Sequence, residues 1–295
     1  MKRGKFVYRD RASLKKMHQF YDKAMDALQI KYRETYIRTS FGKTHIIIAG
    51  DETKSPILTL HGGNGITPLN LRLFRSLLSR YCIIAPDVIG MPGKSEPFRN
   101  LHSDREDYGN WLCEILDSMN IKTIPFVVSS YSAAMMLSLA KVSPERIEKA
   151  VLLVPSGIAH GALIPIIRRM AIPFMKYYYQ PSEETLKKIF AVMSDQDDAL
   201  WTEFFDLMMS SYKMEMRPPK EYTQSELQRF HAPVLIFASD GDIFFPAFKV
   251  IPKAKQIFPE RPVCCRITGK HLPSDETMQM VCRKIVVFLN FGKDE

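Results

Sequence analysis

Leu14, Met17, Tyr21, Met25 and Leu28 recur every three or four positions, which places one apolar helix face in residues 12–30. Two β-like runs follow at 35–40 and 44–49, and Phe41-Gly42-Lys43 between them signals a hairpin. Residues 57–60 and 82–85 are short apolar runs without alternation, the pattern of strands buried on both faces of a parallel sheet. Between them, 69–80 reads as a helix. Tyr108, Trp111, Leu112, Ile115 and Met119 then share one helical face. Residues 124–128 predict another buried strand, 133–141 a helix and 150–154 a strand.

Strand and helix therefore alternate from 55 to 155, as in a doubly wound, mostly parallel sheet. The alternation stops there. Residues 156–230 read as helical and are rich in Met and aromatic residues, among them Met170, Phe174, Trp201, Phe204 and Met208. The strand pattern returns at 233–238, and a last helix over 277–291 closes the chain. The expected organisation is a helical extension at 1–34, an α/β core at 35–156 and 231–295, and a helical insertion at 157–230.

Composition narrows the class. A chain of 295 residues with 46% hydrophobic and 25% charged residues is ordinary for a globular α/β protein and far from disorder. No apolar run reaches the roughly 18 residues of a membrane span, so no integral membrane contact is expected. The basic start, MKRGKFVYRD, is followed by no apolar stretch of a secretory signal. Five cysteines without a C-x-x-C pair fit reduced thiols in a cytoplasmic protein. The formal charge of +9 is local: residues 1–50 hold 12 Lys and Arg against 4 Asp and Glu, the remaining 245 residues 29 against 28. This describes a nearly neutral body with a basic N-terminal segment. No arginine–aromatic interleaving accompanies that segment, so no nucleic-acid partner is expected.

Three candidate groups sit at the carboxyl ends of proposed strands, where open α/β sheets place ligand sites. Ser130 lies in Phe126-Val-Val-Ser-Ser-Tyr-Ser-Ala-Ala134, between a strand and a helix. A sharp turn there lifts a serine clear of the sheet, and a base that removes its proton makes it a nucleophile. Asp242 follows the strand at 233–238, with Asp240 two residues away. His271, in Thr268-Gly-Lys-His-Leu-Pro273, precedes the last helix. The order Ser, Asp, His supplies nucleophile, orienting acid and general base. Metal and phosphate chemistry fare worse. The chain has no H-E-x-x-H or clustered Cys/His spacing, residues 62–65 lack G-K-[ST], and Cys264-Cys265 reads as part of a buried strand.

Six segments in order resemble the α/β-hydrolase superfamily: LHGGNG (60–65), APDVIGMPGKSEP (85–97), DYGNWLCEILDSMNI (107–121), SPERIEKAVLLVPSG (143–157), APVLIFASDGDIFFP (232–246) and GKHLPSDE (269–276). The resemblance departs at the nucleophile, where G-x-S-x-G becomes Val128-Ser129-Ser130-Tyr131-Ser132. Pro144-Glu145-Arg146 falls at the family's spacing from Ser130 and two residues short of it from Ser132. Ser130 is thus the expected nucleophile and Ser132 the alternative, whose own register keeps small residues at both flanks.

The resemblance implies a serine hydrolase without a cofactor, acting on an ester or related carbonyl through Ser130, His271 and Asp242. The oxyanion hole would use the backbone amides of Tyr131 and Gly63, with His61 structural. The insertion would form a cap over the site. If its Met and aromatic residues line the pocket, the small-molecule substrate has an apolar acyl part. Carbon–carbon bond hydrolysis, cofactor-free peroxidation and a non-catalytic ligand receptor stay open on the same residues, and oligomeric state is unassigned.

Overall fold

The computed structural model describes residues 4–196 and 198–292. The expected extension and core therefore each have three terminal residues, 1–3 and 293–295, outside the described residues. The centre is an eight-stranded sheet in the order β10-β9-β8-β7-β4-β5-β3-β2. Its strands are β2 (Tyr32–Thr39), β3 (Gly42–Ala49), β4 (Pro56–Leu60), β5 (Cys82–Pro86), β7 (Ile124–Ser129), β8 (Ile147–Leu153), β9 (Val234–Ser239) and β10 (Val263–Ile267). β2, β3 and β5 pair antiparallel, and every other neighbour pair is parallel. The runs without alternation are the central strands, as their apolar character on both faces requires. A two-stranded ribbon of β1 (Lys5–Phe6) and β6 (Phe98–Arg99) lies apart from this sheet.

Helices α1 (Arg11–Leu28), α2 (Thr67–Leu73), α3 (Asp107–Ser118) and α4 (Tyr131–Val142) follow the expected places. Gly109 lets α3 lie against α4: a Cβ there would stand 2.6 Å from the Ser138 carbonyl oxygen. Its N–H donates to Ser138 Oγ at 3.0 Å. The 156–230 segment holds α5 (Leu163–Ile166), a π turn (Ile167–Ala171) and α6 (Ile172–Tyr179), which form one continuous run. After it come α7 (Glu183–Met193), α8 (Ala199–Ser211) and the single turn α9 (Gln224–Leu227). The core is completed by α10 (Ala247–Ile257) and α11 (Asp275–Asn290).

Several expectations shift in detail. The hairpin turn is Ser40-Phe41, because Gly42 already pairs with Thr39. The helix expected over 69–80 ends at Leu73 and resumes as a 3₁₀ turn, Arg75–Ser79, since the apolar pattern does not separate a period of 3.0 from 3.6. Residues 212–223 of the insertion are not helical. Cys264 and Cys265 do lie on a strand, but β10 is the sheet edge and both are half-buried. Helix α10, which the reading lacked, carries Pro252 inside it.

The N-terminal segment is integrated into the molecule. The apolar stripe of α1, with Phe20 and Ala24 added to Met17, Tyr21, Met25 and Leu28, is buried. Phe20 packs on Phe204 of α8 with ring centres 5.8 Å apart. Ahead of α1, the Val7 amide donates to the Pro97 carbonyl and the Val7 carbonyl accepts the Lys213 amide, which straps the segment just after α8 to the start of β6.

One fully buried carboxylate ties these parts together. Asp87 accepts hydrogen bonds from Tyr21 Oη of α1 (3.2 Å), His45 Nδ1 of β3 (2.9 Å), the Lys94 amide (2.8 Å) and Thr67 Oγ1 of α2. Burial alone would raise its pKa, but these donors, His45 first, hold it below the ordinary carboxylate value. Its contribution to stability is therefore complete above about pH 4 and is lost as pH falls through its lower folded value. Asp87→Asn is expected to reduce the unfolding free energy at neutral pH by about 3 kcal/mol. Urea unfolding across acid pH checks this, and the variant's stability should fall less steeply below pH ~4 than wild type's.

Candidate active site

Ser130 is the residue between β7 and α4, and its backbone takes φ 56°, ψ −126°. That region strains any residue with a side chain, so it persists only where neighbours hold it. The Ser130 amide donates to the Leu153 carbonyl at 2.9 Å. Its own carbonyl accepts from the Ser156 amide (3.1 Å), Ser156 Oγ (3.0 Å) and the Ala133 amide (3.0 Å). Val154, next along β8, also has a positive φ of 43°, an unusual conformation for a β-branched residue. The two strained residues abut at the carboxyl edge of the sheet.

His271 and Asp242 come to this point from two other loops. Ser130 Oγ lies 2.8 Å from His271 Nε2, and His271 Nδ1 lies 2.8 Å from Asp242 Oδ2. The other Asp242 oxygen accepts the Phe244 amide at 2.8 Å, which fixes the carboxylate's plane. Asp242 and His271 are buried. The rings of Phe244 and Phe245 stand 5.1 and 5.7 Å from the imidazole and shield it from solvent. Asp240, the neighbouring carboxylate, instead faces Arg266 at the exposed sheet edge.

Ser132 is not part of this group. It is 0% exposed, accepts the Ser129 amide at 3.1 Å, and its hydroxyl faces the carbonyls of Leu60 (2.9 Å) and Ser129 (2.7 Å). A buried hydroxyl so engaged has a structural use: it ties the end of β4 to the turn. That accounts for a serine where the family pattern has glycine.

The glycine loop after β4 closes the site from above. A Cβ on Gly62 would come 3.2 Å from Ser130 Cβ, and one on Gly63 3.0 Å from the Tyr131 ring. Only backbone fits so near the serine. His61 orients this loop: Nε2 accepts the Val88 amide (3.1 Å) and Nδ1 donates to the Gly62 carbonyl (2.9 Å). Burial pushes its pKa down and keeps it neutral. Asn64 then joins the loop to the insertion, with its side-chain amide bonded to both backbone groups of Glu215 at 3.0 and 2.7 Å.

The insertion also grips the histidine loop, which the sequence reading missed. The Leu272 amide donates to the Met193 carbonyl and the Leu272 carbonyl accepts the Asp195 amide, both at 2.8 Å. The Lys270 amide donates to Asp195 Oδ2 at 2.6 Å, so both neighbours of His271 are held. Nothing in the local pattern of 193–196 signals this, because its partner lies some 75 residues away.

Ser130 opens into a cavity of about 590 Å³, a size that takes a drug-sized ligand. Its wall is largely apolar, with Leu69, Leu73, Met170, Phe174, Trp201 and Phe204 prominent. Glu215 and Arg217 supply charge on the wall, paired with each other at 3.1 Å. Groups of three or more His, Cys, Asp or Glu side chains able to hold a metal ion are absent among the described residues. The opposed roles of the two serines predict opposite effects on stability. Ser130→Gly relieves the strained φ and should raise the unfolding free energy by about 1 kcal/mol. Ser132→Ala removes buried hydrogen bonds and should lower it by about 1 kcal/mol. Urea titration of both variants measures the pair.

Comparison with known proteins agrees with this architecture. The family model for the alpha/beta hydrolase fold matches residues 55–205. An uncharacterized carboxylesterase, nap, of Bacillus subtilis is 23% identical over 284 residues, covering 92% of each chain. Carboxylesterase YbfK of the same organism is 24% identical and covers 94% of each chain. The crystal structure of naproxen esterase from Bacillus subtilis superposes with a TM-score of 0.77 at 21% identity, over 93% of this chain and 97% of that one. With the matched model spanning more than half the sequence, the chain belongs to the α/β-hydrolase fold family.

Proposed function

We propose that the protein is a serine esterase in which Ser130 is the nucleophile, His271 the general base and Asp242 the orienting acid. The observation that carries this is the continuous relay of 2.8 Å contacts from Ser130 Oγ through the imidazole to a buried carboxylate. The Ser130 hydroxyl donates to Nε2, and Nδ1–H donates to Asp242. As Oγ attacks an ester carbonyl, its proton passes to Nε2, and Asp242 stabilises the imidazolium. The amides of Tyr131, at the start of α4, and Gly63 receive the oxyanion, where fixed donors in a partly dry site act most strongly. The imidazolium returns its proton to the leaving alcohol. Water, activated by the same nitrogen, then releases the acid.

The ester class is supported by the two carboxylesterase relatives that span over nine-tenths of the chain, and by an apolar cavity wall suited to an apolar acyl part. A mere ligand receptor needs no serine hydroxyl 2.8 Å from an oriented imidazole. We assign 157–230 as a cap, 32–156 and 231–295 as the catalytic core and 1–31 as an extension packed on both, because β2 begins at Tyr32, three residues before the expected boundary at 35. In support, Ile166, Met170 and Phe204 of the insertion line the cavity that holds Ser130. A cytoplasmic setting belongs to the same proposal and rests on five unpaired cysteines.

A fluorophosphonate probe should label wild type and Ser132→Ala but not Ser130→Ala. Labelling that follows Ser132 instead would overturn the assignment. Asp242→Asn should lower kcat for a p-nitrophenyl ester by about 10⁴-fold, because it presents the wrong imidazole tautomer. Steady-state kinetics with circular dichroism of the folded variant checks that loss.

A further inference from the structure

The run 163–179 is apolar on two sides. Ile166, Met170 and Phe174, spaced by four, face the cavity. Ile164, Arg168, Ile172, Met175 and Tyr179, spaced by four, four, three and four, form a second stripe, and every one is exposed. Ile164 is 70% exposed, and Tyr178 beside Tyr179 is uncovered as well. A helix that buries one apolar face has no folding reason to carry a second in water. Contiguous exposed apolar surface of this kind marks an interaction site.

Charge decides the partner. No carboxylate occurs in the sequence between Glu148 and Glu183, while the run carries Arg168, Arg169 and Lys176, all exposed. None of these three is in an ion pair among the described residues. Arg9, from the N-terminal strap, adds a guanidinium 5.5 Å from the Tyr178 ring centre. Glu183 and Glu184, just beyond, are each paired with a lysine one turn on. A second copy of the chain meeting this face about a two-fold axis would set the same cations against one another. A lipid surface with anionic headgroups accepts apolar side chains, interfacial tyrosines and cations together.

We propose that the outer face of residues 163–179 seats the enzyme on an anionic lipid surface, and that its substrate is an ester dissolved in that surface. The face reaches the cavity mouth. Leu163 and Met216 line the cavity and yet are 69% and 68% exposed, so they form its rim. An apolar ester leaving the lipid enters past this rim without crossing bulk water. The contact is peripheral, since no helix among the described residues is long and apolar enough to cross a membrane. The substrate assignment rests on the esterase reading; the binding does not.

The test is sedimentation of the full chain with vesicles of phosphatidylcholine alone or mixed with phosphatidylglycerol. Wild type should sediment with the mixed vesicles, at least tenfold more weakly with phosphatidylcholine alone, and less as salt rises. Ile164→Asp with Ile172→Asp, and separately Arg168→Gln with Arg169→Gln and Lys176→Gln, should each reduce binding tenfold or more. Turnover of a short, water-soluble p-nitrophenyl ester without vesicles should stay within twofold of wild type, and its absence in wild type would count against the esterase reading alone. Equal sedimentation of wild type and both variants, or none by wild type, overturns the proposal. So does a wild-type dimer in analytical ultracentrifugation that Ile164→Asp with Ile172→Asp dissociates. Loss of all vesicle binding in Lys15→Gln with Lys16→Gln, two exposed lysines of the basic helix α1, with the 163–179 face intact, also overturns it.

Discussion

The backbone of Ser130 is the constraint on which the site is built. A left-handed φ at a residue with a side chain costs about 1–3 kcal/mol, and here it aims a hydroxyl out of a turn between a buried strand and a helix. Three donors on its carbonyl and one acceptor for its amide hold the conformation. The segments around it are shaped accordingly: the residue just after β8 is the strained Val154, the loop at 62–63 has no Cβ, and Ser132 turns its hydroxyl back to Leu60. The flanking glycines of the family pattern are dispensable because Val128 points into the core and Ser132 finds partners for its one polar group.

The helical insertion does more than line the cavity. Its 193–196 segment bonds the backbone on both sides of His271, and Asn64 links its return to the glycine loop. The imidazole is thereby placed by two separate parts of the chain, its own loop and the insertion. The N-terminal strap and α1 reach the same elements from outside, through Val7 at the end of α8 and Phe20 against Phe204, itself a cavity residue. Position in the cavity and position of α1 are therefore coupled by direct packing.

Asp87 holds the scaffold beneath this arrangement. A buried carboxylate persists only if hydrogen bonds replace water, and here α1, α2, β3 and the 94 loop each supply one. The run 163–179 is the opposite case, where exposed apolar side chains share one face with cations that have no ion pair among the described residues.

The order of elements was legible from the amino-acid sequence because the central strands show as short, mostly apolar runs without alternation, and helices such as α1 and α3 repeat every three or four positions. The three residues Ser130, Asp242 and His271 were legible too, since each follows a strand in a segment with a known family pattern. Local pattern leaves the turn at Ser40-Phe41 and the 3₁₀ break after Leu73 unresolved, and it cannot encode a contact between distant residues, such as the grip of Asp195 on the histidine loop and the bond from Ser132 to Leu60. The choice between the two serines shows the division. Counting along the chain favours Ser130, but only tertiary structure brings its hydroxyl to His271 and buries that of Ser132, because hydrogen-bond partners are set by proximity in space.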